Sequence, residues 1–246
     1  MSGPGDFDHL SGTRVIFDKG PQTWVLDEKI AEDYQTMSQD EVDDGIGNPY
    51  AAIKFACHNA ADPNQKGILR IYIQIPITGT IARGPGARAQ QAIAQRTHME
   101  GTVLQSLTDK GCKVVPKLLG YQESNQDDEG CVPGGYINYI VWACVPGESI
   151  RAKEFWDRDR KYRDEVREKF RESDEELKKF GWSPRIPHLG NIIFDEATKA
   201  LHISGFCFPK VLDSSQPFTD VTYAGWGLVK RSQNPDWYLN SKEWEW

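Results

Sequence analysis

The ten residues from Tyr136 to Val145, YINYIVWACV, carry no charged side chain and a single amide. A run this apolar is too short to span a membrane, and it predicts a strand in the interior of a sheet, with a neighbour on each side. The neighbours must come from elsewhere in the chain. Runs of β-forming residues at 13–17 (TRVIF), 23–26 (TWVL), 51–56 (AAIKFA) and 68–75 (ILRIYIQI) supply them, with VVPKLLGYQ at 114–122 as one more. Within ILRIYIQI the reading places Leu69, Tyr72 and Gln74 on one face. Arg70, Ile71 and Ile73 obey the two-residue period only in part. Clusters rich in Gly, Asp and Pro, DDGIGNP at 43–49 and NAADPNQKG at 59–67, separate the runs as turn chemistry requires. The acidic stretch 27–45 predicts an insertion or an exposed helix.

Two segments carry the helical period instead. Over about 86–109, Ala89, Ile93, Val103, Leu104 and Leu107 recur at helix spacing, with Gly111 beyond the end. From about 153 to 180, Phe155, Tyr162, Val166, Phe170, Leu177 and Phe180 form one apolar stripe on a highly charged helix that Gly181 stops. NIIFDEATKALHISGF at 191–206 reads as strand, turn, strand. Helices segregated from strands in this order give an α+β plan. Residues 1–12 read as a flexible arm.

Composition excludes several classes. Eight Trp, nine Tyr and ten Phe call for a packed interior rather than a disordered chain. The net charge of −7 disfavours a generally basic nucleic-acid binder, though not a local basic patch. Five scattered cysteines with no C-x-x-C pair suit free thiols in a reducing cytoplasm, and no metal site is expected from them. The opening MSGPGDFDHLSG lacks the basic and apolar segments of a signal peptide, so a cytoplasmic protein without membrane contact is expected.

Several strings resemble the protein-kinase and aminoglycoside-phosphotransferase superfamily. THMEGTVLQSL is similar to the helix that carries the family's ion-pairing glutamate, with Glu100 in that place. VPKLLGYQ and YIVWACVPGESI resemble the two strands that follow and the step into the second lobe. PRIPHLGNIIFDEATKALHISGF resembles the catalytic loop and metal-binding hairpin. The resemblance covers about residues 13–208. It implies a two-lobed fold: a small antiparallel-sheet N-lobe over 13–145 and a reduced helical C-lobe over 146–246. The strand cation that pairs with Glu100 is then Arg70 or Lys54, with Arg70 favoured because Lys54 requires a long excursion before the helix.

The same alignment removes the chemistry. The family's proton acceptor lies five residues before the loop asparagine. With Asn191 as that asparagine, Ile186 takes the acceptor's place and Pro184 that of the family's histidine. Ser204 or Gly205 fills the slot of the metal-binding aspartate, and a hydroxyl is a poor substitute for a carboxylate on a hard divalent cation. No Gly-rich phosphate loop precedes the third strand. Ordinary kinase activity is therefore not expected.

Three functions remain. The chain resembles fungal arginine-containing cyclodipeptide synthases through LRIYIQIP, VPGGYINYIVWACVPGESI and ISGF. That likeness implies aminoacyl-tRNA substrates, arginyl-tRNA and a second aminoacyl-tRNA, and needs neither cofactor nor metal because the esters arrive activated. Glu100, His188, Asn191 and Ser204 are the candidate catalytic groups. Arg70, Lys54 and Glu148 are candidate substrate contacts, a carboxylate such as Glu100 or Glu148 being suited to hold an arginyl side chain. Arg83, Arg88 and Arg96 are candidates for a tRNA-binding surface. The second reading is an inactive kinase-like scaffold that binds a protein partner or, weakly, a nucleotide. The third is a small-molecule phosphotransferase with displaced catalytic residues, for which Asp195 or Asp213 must serve.

Overall fold

A computed structural model of the chain describes residues 7–18, 22–213 and 215–246. It divides into two compact units, Met1–Gly101 with Leu118–Cys144, and Thr102–Lys117 with Val145–Trp246. The expected mixture of helices and antiparallel strands is present, with a large sheet where a small one was expected. Among the described residues, no helix is long and apolar enough to cross a membrane.

The first unit is built on a six-stranded antiparallel sheet. Its strands are β1 (Arg14–Phe17), β2 (Gln22–Gln35), β3 (Tyr50–Asn59), β4 (Lys66–Gln74), β5 (Leu118–Asn125) and β6 (Tyr136–Ala143), in the order β1-β2-β3-β4-β6-β5. The apolar run 136–143 thus lies between β4 and β5, as an interior strand should. The sheet coils until its edge strands meet: the Asp18 amide donates to Gln122 Oε1 at 2.7 Å. Gly120 permits this approach, since a Cβ there would stand 3.1 Å from the Phe17 ring. Trp24, Leu26, Ile53, Phe55, Leu69 and Ile71 fill the core.

Four expectations change here. Asp27–Gln35 is not an insertion or helix but the continuation of β2, paired with β3 through two register irregularities. Only α1 (Gln39–Asp43) is helical in that stretch, closed by a capping box between Ser38 and Glu41. Charges are tolerated on β2 because alternate residues of this stretch stay in contact with water. Of the arm, residues 1–6 lie outside the described residues, and Phe7 is buried in the core against Tyr34. In β4, strict alternation puts Leu69, Ile71 and Ile73 on the core face and Arg70, Tyr72 and Gln74 together on the other. The helix over 86–109 is two helices, α2 (Pro85–Ala89) and α3 (Met99–Asp109), joined by an extended stretch.

Tertiary hydrogen bonds explain that interruption, because they outweigh helix propensity here. Gln74 donates to the Gln91 carbonyl at 2.7 Å and accepts from the Ile93 amide at 2.9 Å. Asn125 holds the Ala94 carbonyl at 2.8 Å, and Asn138 donates to that of Arg96. Four backbone groups that a helix would have paired internally are bonded to the sheet instead.

In the second unit the predicted helix over 153–180 is also double. α4 (Ala152–Asp157) ends at an extended Arg158, and α5 (Arg160–Lys178) starts under an Asp159 cap that accepts from the Tyr162 amide at 2.8 Å. Phe155, Val166, Phe170 and Leu177 are buried, as the stripe predicts. Gly181 ends the segment at φ +76°. The remaining elements are small. β7 (Glu148–Ser149), β9 (Ile192–Phe194) and β10 (Leu201–Ile203) form one sheet, β8 (Trp182–Pro184) pairs with β11 (Pro209–Val211), and α6 (Asp220–Trp226) follows. Cys57 and Cys112 are buried thiols, and Cys144 is an exposed one.

Candidate functional site

The second face of β4 carries a polar stack inside the first unit. Arg70 Nη1 donates to both carboxylate oxygens of Glu100 at 2.7 Å, and the Tyr72 hydroxyl donates to Glu100 Oε2 at 2.8 Å. Glu100 is 3% exposed. One step along the strand, the His98 ring stacks on Tyr72 with centroids 3.8 Å apart, and Tyr50 and Tyr136 enclose it. Burial, with the nearby Arg96 charge, lowers the His98 pKa to about 3, so the imidazole is neutral. The β4 period sets the whole arrangement: residues 70, 72 and 74 meet residues 100, 98 and 91 in turn.

Arg70 is thus a partner of Glu100, while Lys54 stands opposite Arg70 in the β3–β4 register. The pair fixes the start of α3, and its carboxylate already receives three hydrogen bonds. Glu100 is for that reason not an open acceptor for a substrate guanidinium. Arg96 is likewise engaged, donating to the Asn48 carbonyl at 2.9 Å and lying 4.8 Å over the Tyr50 ring. Arg88 is half-buried with Nη1 3.5 Å from the Ile81 carbonyl, and Arg83 is exposed. The three arginines therefore do not present equivalent, open contacts for a phosphate backbone.

The other candidates lie in the second unit. Asn191 Nδ2 donates to the Ile186 carbonyl at 3.1 Å, closing the loop upon itself. The Asn191 carbonyl accepts both the Ser204 amide at 2.8 Å and the Ser204 hydroxyl at 3.1 Å. Gly205, at φ +91°, packs directly on the Asn191 side chain, where a Cβ would fall 2.3 Å from Nδ2. Asn191, Ser204 and Gly205 therefore brace the loop to the hairpin. Ile186 projects to solvent at 58% exposure.

His188 and Glu148 line a common pocket of about 880 Å³. Trp156, Leu189, Trp226 and Lys230 complete the part of its wall that bears on chemistry. Lys230 lies 4.3 Å over the Trp156 ring and pairs with Glu245 at 3.0 Å, which holds this wall to the C-terminal residues. Gly147 sets the approach to Glu148: at φ +95° a Cβ would stand 2.5 Å from the Phe194 carbonyl, so only glycine fits. Two groups thus converge, Arg70 with Glu100 and His188 with Glu148.

The lining residues Trp156 and Lys230 escaped the sequence reading because they are brought together from distant segments. Tyr72 and His98 were accessible in principle, through the alternation of Arg70, Tyr72 and Gln74. The charged run of α5 is a solvated face, with Arg160–Asp164, Lys169–Glu172 and Arg171–Glu175 pairing along the helix. Among the described residues, no group of three or more His, Cys, Asp or Glu is placed to hold a metal ion.

No family model and no curated protein matches the chain. Among solved structures it is similar to the Cydia pomonella granulovirus kinase PK-1, at 10% identity and a TM-score of 0.41. The match covers 76% of this chain and 55% of that kinase.

Proposed function

We propose that the chain is a kinase-like binding module that has lost phosphoryl transfer and acts by holding a ligand in the pocket beside His188 and Glu148. One observation carries the reading. Five residues before Asn191, where phosphoryl transfer needs a proton acceptor, stands the exposed aliphatic Ile186, and the Asn191 amide is spent on its carbonyl. The metal-binding position offers only the Ser204 hydroxyl, itself bonded to Asn191, or Gly205. The two-lobed arrangement belongs to this proposal too. Its support is the sheet order with α3 between β4 and β5 in sequence, together with the Arg70–Glu100 pair.

Displaced carboxylates do not repair the loss. Asp195 accepts the Ala197 amide and the Thr198 hydroxyl within its turn. Asp213 accepts the Ser215 amide and hydroxyl in another. These bonds lower both pKa values and hold both groups to their own loops. The pocket instead suits recognition, with indole walls at Trp156 and Trp226 and polar groups at its rim.

Aminoacyl-tRNA-dependent synthesis of an arginine-containing diketopiperazine stays as a second reading because Glu148 is an exposed carboxylate lining the same pocket as Trp156, a combination suited to a guanidinium. Expression in bacteria followed by mass spectrometry for arginine-containing diketopiperazines decides between the two. The binding module yields none and shows no Mg²⁺-dependent ATP turnover. Ligands that raise its melting temperature lose that effect in Trp156→Ala. Either a diketopiperazine or ATP turnover sensitive to Asn191→Ala overturns the module reading.

A further inference from the structure

A second concavity of about 340 Å³ lies on the second unit and shares no lining residue with the pocket above. Three lysines from three separate segments converge on it: Lys113 from the turn after α3, Lys169 from α5, and Lys199 from the β9–β10 hairpin. This is not the repeat of one helix face, since the segments are far apart in sequence. Ser173 and Thr198 also line the wall, their hydroxyls donated to the Leu201 carbonyl and to Asp195, and Glu172 is the carboxylate that lines it. His202 forms part of the floor, with Nδ1 buried and without a hydrogen-bond partner. A buried ring nitrogen in that state gains from any acceptor or donor that reaches it.

Two of the lysines have intramolecular partners. Lys169 bonds Glu172 at 2.8 Å within α5, and Lys199 reaches Glu165 at 2.9 Å. Both pairs are partly exposed, a setting in which ion pairs contribute little and exchange readily. A dianion seated among three ammonium groups competes well with such single contacts. The Lys199 backbone sharpens the point. Its φ of +61° makes it the one non-glycine residue in the left-handed region among the described residues. Glycine is the less strained choice at that position, so a lysine stands there at a conformational cost, its ammonium resting on Glu165.

We propose that this concavity is a binding site for a phosphate-sized dianion, either free phosphate or the head of a phosphate monoester. The lining groups that bear on an anion are Lys113, Lys169, Lys199 and His202, opposed by Glu172, with Glu165 the present partner of Lys199.

The test is an NMR titration of the full chain at constant ionic strength, with inorganic phosphate and then phosphoserine, following the amides of Val114, Thr198 and Ala200 and the His202 ring. Saturable shifts confined to these residues are expected. Lys113→Gln and Lys199→Gly each weaken binding by roughly fivefold or more, and Glu172→Gln strengthens it. Lys199→Gly keeps or raises the melting temperature, because it relieves the left-handed backbone, so weakened binding there is not a folding defect. Tighter phosphoserine identifies a monoester site, and equal affinities identify free phosphate. Absence of saturation below about 10 mM, or a saturable site indifferent to all three substitutions, overturns the proposal.

Discussion

Glu100→Gln tests the polar stack most directly. The substitution keeps the shape of the side chain and the Tyr72 contact but removes the charge facing Arg70. Side-chain exposures of 13% for Arg70 and 4% for Glu100 place the pair out of bulk water, where solvent cannot replace the missing partner. Breaking such a pair from one side typically costs about 3–5 kcal/mol. For a chain of this size that is a fall in melting temperature of about 6–20 °C. Arg70→Met costs a similar amount, since it strands Glu100. The double variant Arg70→Met/Glu100→Leu removes both charges and replaces them with apolar volume, so it is expected within about 1–2 kcal/mol of wild type. Denaturant unfolding of wild type, Arg70→Met, Glu100→Leu and the double variant gives the cycle, with Glu100→Gln as the shape-conserving control. Single variants that each cost under about 1 kcal/mol, with additive effects in the double, refute the argument that the pair is buried and coupled.

The other expectations are briefer. Gly147→Ala forces a Cβ to 2.5 Å from the Phe194 carbonyl at φ +95° and is expected to cost at least about 3 kcal/mol or prevent folding, read by circular dichroism. The His98 pKa falls from an unfolded value near 6.5 to about 3 in the folded chain, so the unfolded chain binds the extra proton between those limits. Stability is therefore complete above about pH 6.5 and lost as pH falls toward 3, by at most about 1.4 kcal/mol per pH unit from this group. Burial shifts His202 the same way, so His98→Phe reduces that slope without abolishing it, as denaturant midpoints from pH 7 to 4 will show. Arg167, 3% exposed, donates to the Leu228 carbonyl at 2.8 Å and lies over Phe155 and Trp246. Arg167→Lys is expected to destabilise by about 2 kcal/mol because an ammonium lacks the planar fork and stacking face. A neutral melting curve contradicts this.

The interior strand was legible because a ten-residue apolar run leaves few alternatives, and the apolar stripe of α5 was legible because Tyr162, Val166, Phe170 and Leu177 share one helical period. Helix interruption at residues 90–98 was not, since its cause is the side chains of Gln74, Asn125 and Asn138, which reach backbone groups tens of residues away. Asp27–Gln35 misled for a related reason. Its charges fit a solvated face, and only pairing with β3 makes that face part of a strand.

By itself, then, the sequence determined which residue types fill the core, because periodicity and side-chain identity are local properties. It also named Arg70 and Glu100 as a candidate pair. Tertiary structure alone decided that Glu100 is already saturated by Arg70 and Tyr72, and that Asn191 and Ser204 brace each other. It also decided that Glu148, His188, Trp156 and Lys230 share one pocket. The availability of a polar group depends on what has folded against it, and no local pattern carries that information.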